Sequence, residues 1–226
     1  MTKGHQMPIN QLRDTAAAVV QQLRKTYPDA VCSLVHDQPW QLLVAAILSA
    51  QCTDARVNVI TPDLFARFPT LREMAAAEIN EIETIIRSCG LYRSKAKSIQ
   101  GSARLIVDRF AGKVPDQLHD LLSLPGVGRK IANLILGDAF GKPAIVVDTH
   151  CARLSKRIGL TDHDNPVHIE KDLINVLPQE TWIDYGHLMV EHGRAVCDAR
   201  RPACDRCPIA ALCRYAGNRH RDEDKQ

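Results

Sequence analysis

The sequence lacks any long hydrophobic run. Its longest apolar stretch, Leu42 to Leu48, is seven residues, against the roughly 20 that a membrane-spanning helix needs. No membrane partner is therefore expected. Met1 to Gln11 hold no apolar stretch of signal-peptide length, so a cytoplasmic protein is expected. Strand-like alternation is nearly absent; Ile145-Val146-Val147 is the one short extended candidate and reads equally well as a buried loop. There is no internal repeat, no low-complexity tract, no HExxH pair, and no G-x-S-x-G or other serine or cysteine nucleophile site. His187 and His192 lie five apart, do not share a helix face, and read as structural. Charge of one sign is also scarce: a net +3 and a pI near 8.4 permit a nucleic-acid partner without requiring one.

What is present is ordinary globular composition, 45% hydrophobic and 24% charged over 226 residues, enough for one large domain or two small ones. Apolar residues recur at helical steps: Leu12, Ala16, Val19, Val20 and Leu23; then Trp40, Leu43, Val44, Ile47 and Leu48; then Ile79, Ile82, Ile85 and Ile86, with Gly90 as a stop; then Ile99, Ala103, Ile106 and Phe110, stopped near Gly112. Thr70 with Glu73 fits a capping box, Asn165-Pro166 fits a helix start, and Asp116 after Pro115 fits another. Thr61-Pro62 is expected to split the stripe of Val57, Ile60, Leu64 and Phe65. The fold class is all-α, with about ten short helices and a charged tail from Arg219 that should fray.

Eight cysteines are many for a chain without an export signal, and Cys197, Cys204, Cys207 and Cys213 crowd into one C-x6-C-x2-C-x5-C array. In a reducing compartment that pattern points to metal binding rather than disulfides. Zinc and iron–sulfur clusters both accept four cysteines. Zinc ribbons usually offer two C-x2-C knuckles, whereas here only Cys204 and Cys207 are so paired, which favours an iron–sulfur centre over zinc. Between Cys197 and Arg221 six arginines (Arg200, Arg201, Arg206, Arg214, Arg219, Arg221) face two aspartates (Asp198, Asp205). They can meet phosphates, or offset the negative charge of a thiolate-bound centre.

Leu124-Pro125-Gly126-Val127-Gly128-Arg129-Lys130 separates two short helical stripes, the first from about Gln117 and the second marked by Ile131, Leu134 and Ile135. Proline and two glycines make a tight hairpin whose backbone N–H groups and second-helix N-terminus can hold a phosphate without reading bases. It is not a nucleotide P-loop: the glycine spacing is too short and Ile131, not Ser or Thr, follows Lys130. Taken locally, Lys130 is a surface lysine near a phosphate, although a neutral amine there is also a nucleophile able to form a Schiff base. Asp148-Thr149-His150 precedes a helix that should stop at Gly159. Asp148 or Thr149 is most simply its N-cap, but a carboxylate at that place can also support positive charge developing on a sugar.

Together these segments resemble the endonuclease III family of helix-hairpin-helix DNA glycosylases. The likeness rests on Leu48-Ser49-Ala50-Gln51-Cys52-Thr53-Asp54, Gly90-Leu91-Tyr92-Arg93-Ser94-Lys95-Ala96, Leu124 to Lys130, Val147 to His150, and the four clustered cysteines, in that order over about residues 12–215. The resemblance implies a six-helix barrel domain at 32–142, its helix-hairpin-helix at about 117–140. It implies a discontinuous domain of 1–31 and 143–226 carrying a [4Fe–4S] cluster on Cys197, Cys204, Cys207 and Cys213. It implies a monomeric bifunctional enzyme of base excision repair, acting on double-stranded DNA that contains damaged pyrimidines or abasic sites. Lys130 and Asp148 would be catalytic, facing each other across a DNA-holding cleft. Gln51, Leu91, Gly126, Val127, Gly128 and Arg129 would bind DNA, with Gln51 and Leu91 filling the space left by a flipped base. The adenine-mismatch branch of the family lacks the hairpin lysine, so Lys130 points to the lyase branch. A non-catalytic DNA binder is the competing reading, and pyrimidine dimers or mismatched bases are alternative substrates. Cys52 has no partner legible in the sequence and is assigned no role.

Overall fold

The computed structural model describes residues 8–223, with side chains through 218. Among them the chain is helical with no strand, as the all-α reading requires. Its helices are α1 (Ile9–Thr26), α2 (Pro39–Ser49), α3 (Asp54–Arg67), α4 (Leu71–Ala76), α5 (Ile79–Ile85), α6 (Tyr92–Arg109), α7 (Leu118–Leu122), α8 (Arg129–Leu134), α9 (Thr149–Ile158), α10 (Pro166–Val176), α11 (Trp182–Ala195) and α12 (Arg214–Glu223). The chain divides into two units: one spans 32–142, and the other joins the segments before and after it.

In the first unit α2 is buried almost all round, from Trp40 through Leu42 to Leu48, which is why its sequence is the longest apolar run. Gln38 and Gln41 form a reciprocal capping box at its start, with Pro39 in the first turn. The expected break at Thr61-Pro62 does not occur, because α3 runs unbroken with Pro62 inside it. Pro62 is exposed, so the hydrogen bond it cannot make is lost on the solvent side. Burial of Val57, Ile60, Thr61 and Leu64 on the opposite face offsets that loss of about 3 kcal/mol. Thr70 caps α4 by accepting from Glu73 N and donating to Glu73 Oε2. Gly90 does not stop α5, which ends at Ile85 with Ile86 as its cap. Asp116 does not start a helix either: Gln117 is the N-cap of α7, and Asp116 pairs with Lys142 Nζ at 2.7 Å. After α8 a π-helical segment, Ile135–Ala139, continues the chain.

In the second unit α1 buries Ala16, Val19, Val20 and Leu23 against residues far along the chain. Ile145, Val147, Leu154, Leu173, Tyr185 and Met189 complete this core, and the Tyr185 hydroxyl is satisfied by Ser155 Oγ at 2.8 Å. Ile145-Val146-Val147 is therefore a buried loop, not a strand. Asn165 caps α10 through Val167 N, and Gly159 ends α9 at φ +101°. The tail expected to fray from Arg219 continues as α12 to Glu223; residues 224–226 lie outside the described residues.

Leu23 is fully buried on a helix tied to its unit by long-range packing. Leu23→Ala is expected to cost about 2–5 kcal/mol, read as a lower urea midpoint with little change in the far-ultraviolet circular dichroism of the folded state.

Candidate functional site

Two loops of the first unit carry exposed residues in the left-handed backbone region. Gln51 follows the end of α2 with φ +55°, and Leu91 is the N-cap of α6 with φ +56°. The only other non-glycine residue of this kind among those described is Ala111. A leucine in this conformation is unfavourable by about 1–3 kcal/mol and such strain gathers at functional sites. Leu91 is also 60% exposed, so it gains nothing from the protein's own core. The two loops are neighbours: a Cβ at Gly90 would lie 3.6 Å from Gln51 O, and Cys52 Sγ stands 3.8 Å from Cys89 Sγ. Cys52 thus has a partner that the sequence did not disclose.

The hairpin sits on α6. Gly126 has φ +77°, and a Cβ there would fall 2.6 Å from Ser98 Cβ, so no other residue fits without moving the helix. Ser102 Oγ donates to Pro125 O at 2.8 Å, and Gly101 leaves room for the Pro125 ring. Val127, expected among the DNA contacts, is instead buried with its N–H taken by Leu124 O; its side chain anchors the turn from within. Gly128 is different, because its φ is −93° and a Cβ there would meet open space. Neither backbone strain nor internal contact demands glycine there, and its bareness matters only to something approaching from outside. Gly128 is the N-cap of α8, whose first N–H groups have no intrahelical acceptor. Arg129 is half-buried, and Lys130 is exposed in that first turn.

In the second unit Asp148 is half-buried and caps α9, its Oδ1 accepting from Cys151 N at 2.7 Å. The cap reading is thus correct as far as it goes, and it engages one carboxylate oxygen.

The four clustered cysteines follow α11 and line one small, largely apolar cavity closed by Leu154, Ile158, Val196, Pro202, Ile209 and Ala216. Cys207 and Cys213 each close a short 3-10 turn, through Cys204 O and Ala210 O. Burial, reinforced by Cys213, Cys197 and Cys204, pushes the Cys207 thiol up to about 11, and burial also raises Cys213. Four thiolates cannot share this cavity without a cationic centre among them, and the donor set is the one that an iron–sulfur cluster takes. The surroundings supply donors to sulfur. Arg157 Nη1 lies 3.2 Å from Cys197 Sγ, and the same guanidinium bonds Asp198 O and Ala199 O. His192, buried and lowered to about 4 by that burial, places Nε2 3.4 Å from Cys207 Sγ, with its Nδ1 at Tyr27 Oη. His192, which the sequence reads as structural, thus stands against one of the four clustered cysteines. Of the loop arginines, Arg206 bonds Ala195 O and Arg214 bonds Asp162 and Lys156 O, whereas Arg200 and Arg201 are exposed.

Burial pushes the Cys32 and Cys89 thiols up to about 11 and Cys151 to about 12, so none of these three is a ready nucleophile. A cavity of about 800 Å³ beside α1 and the turn after α9 contains neither Lys130 nor Asp148.

Comparison with known proteins agrees with these features. The family described as HhH-GPD superfamily base excision DNA repair protein matches residues 44–179, and the iron-sulfur binding domain of endonuclease III matches residues 197–213. Endonuclease III of Synechocystis sp. is 50% identical over 202 residues, 89% of this chain and 92% of that protein. Endonuclease III of Escherichia coli K12 is 39% identical over 197 residues, 87% and 93% of the two chains. A solved structure of a trapped endonuclease III–DNA covalent intermediate, an estranged-adenine complex, is similar at a TM-score of 0.86 and 43% identity, covering 92% of this chain and 98% of that one. A thermostable thymine-DNA glycosylase shares the fold at a TM-score of 0.81 and 22% identity. The chain belongs to the HhH-GPD superfamily of base excision repair proteins and, within it, to the endonuclease III family. Its cofactor is a [4Fe–4S] cluster.

Sequence reasoning missed Arg157, the contact of His192 with Cys207 and the Cys52–Cys89 contact, all products of tertiary packing. Two checks follow. Gly126→Ala is expected to lower stability by more than about 1 kcal/mol, while Gly128→Ala leaves stability nearly unchanged and weakens DNA binding, as read by thermal melts and gel-shift titration. Cys204→Ser is expected to remove the broad absorbance at about 400 nm given by iron–sulfur centres.

Proposed function

We propose that this endonuclease III family enzyme, a DNA glycosylase and abasic-site lyase of base excision repair, removes oxidised pyrimidines from duplex DNA through Lys130. We read residues 32–142 as the six-helix barrel and the remainder as the cluster domain, in a cytoplasmic monomer. The observation that carries the chemistry is an exposed lysine in the first turn of α8, at the end of a hairpin whose Gly128 is open to solvent. That turn can take a phosphate through backbone N–H groups and so bring a sugar beside the amine. Gly126, Gly128 and Arg129 make the backbone contact, with Val127 holding the turn in place. Damage lowers the cost of taking the base out of the stack, and Gln51 and Leu91 occupy the space it leaves.

The Lys130 Nζ lone pair attacks the sugar C1′, and the C1′–N bond breaks as the base leaves with a proton. Ring opening gives an iminium between Nζ and C1′. A base takes the C2′ proton; the C2′–H electron pair, made available by the iminium, expels the C3′ oxygen with its phosphate as leaving group, and water then adds to C1′, breaking the C=N bond to free the lysine and leave the aldehyde. Asp148 supports the sugar's developing positive charge and handles protons. The cluster, held by Cys197, Cys204, Cys207 and Cys213, supplies a cross-link for the loop that presents Arg200 and Arg201.

Borohydride is expected to trap the parent on abasic DNA and to fail with Lys130→Gln; equal trapping would remove Lys130 from this role. Asp148→Asn keeps the Oδ1 acceptor for Cys151 N and so the fold, and is expected to slow turnover about 10²–10⁴-fold. A near-normal rate would leave Asp148 a cap and nothing more. A panel of thymine glycol, pyrimidine-dimer and mismatch duplexes tests the substrate class.

A further inference from the structure

Lys95 is the only buried lysine or arginine among the described residues, 5% exposed. Burying an ammonium is costly unless something in the fold uses it. Its Nζ donates to Leu48 O at 2.8 Å. Leu48 O is among the last four carbonyls of α2, which lack intrahelical donors, and Leu48 itself is fully buried, away from water. A positive charge at a helix C-terminus is also favourably placed. Its backbone lies in the first turn of α6, where Lys95 N makes the ordinary helical bond to Leu91 O at 3.1 Å. One residue is therefore bonded to the carbonyl of Leu91 and to the carbonyl three residues before Gln51. The loops it joins are the two that hold exposed non-glycine residues at φ +55° and +56°, where the backbone by itself would relax.

We propose that Lys95 is a positioning residue that sets the spacing of Gln51 and Leu91, so that both enter the duplex together when a nucleotide is flipped. The proposal rests on the reading of those two residues as DNA-entering. Lys95 touches no DNA in this role; it acts through the loops on either side. Removing its ammonium leaves Leu48 O buried without its donor. The α2 end must then shift to regain a partner, carrying Gln51 away from Leu91.

The test uses the full chain with its cluster in place and compares single-turnover nicking of one abasic strand, either paired in a duplex or unpaired. The unpaired strand has no opposite base to hold apart, so wedge spacing matters only in the duplex. Lys95→Met is expected to lower the duplex rate about tenfold more than the unpaired rate, and Lys95→Arg, which keeps charge and donors, to recover most of that ratio. Leu91→Ala in the same assay is the reference and is expected to depress the same ratio. If Leu91→Ala depresses it while Lys95→Met slows both substrates equally, Lys95 is only a stabilising group and the proposal is overturned. If Leu91→Ala does not depress it, the reading of the wedge fails, and the proposal with it. Should Lys95→Met not fold, Lys95→Gln, which lacks the charge but keeps a donor, is read by the same criteria.

Discussion

The seat of the hairpin on α6 is the contact on which the proposed chemistry depends. The turn fits there only because Gly126 lacks a Cβ, which would fall 2.6 Å from Ser98 Cβ, and Gly101 and Ser102 complete the seat against Pro125. The same helix is capped by Leu91 and reaches the end of α2 through Lys95. Lys95, Ser98 and Ser102 recur at helical steps, so one face of α6 serves the hairpin and both left-handed loops. A rigid element that positions several exposed loops is the arrangement expected where small displacements cost rate. Exposed Gln51, Leu91 and Gly128 thus sit on loops held in place by α6 rather than by their own packing.

The metal centre shows a different economy. Four thiols in an apolar cavity repel one another once ionised, and burial holds Cys207 and Cys213 in the protonated form without a cation. Arg157 and His192 reach the sulfurs from α9 and α11, so the loop is joined to two helices of its unit as well as to itself. Exposed Arg200 and Arg201 ride on a turn organised by Asp198, whose Oδ1 accepts from both their backbone N–H groups.

Much of this was legible from residues alone, for reasons that are local. The stripe in α1, the Thr70 and Asn165 caps and the stop at Gly159 depend on near neighbours in sequence. The four cysteines and the hairpin are spacing signals. What was not legible depends on packing. Pro62 was read as a break because sequence does not show which helix face meets water. Nothing in the sequence shows that Lys95 is buried against Leu48 O, or that Cys52 meets Cys89. The left-handed turn at Leu91 is concealed because Gly90, the residue that would ordinarily take such a conformation, stands immediately before it. Asp148 shows the remaining limit, since its cap geometry is complete and is equally compatible with a catalytic carboxylate.

The central claim is that the amine at the head of α8 bonds to deoxyribose. Peptide mapping by mass spectrometry of the borohydride-reduced complex with abasic DNA tests it directly. The account predicts one modified peptide, with the sugar remnant on Lys130. A remnant on any other side chain or on the N-terminal amine would contradict it, whatever the overall rate of strand cleavage.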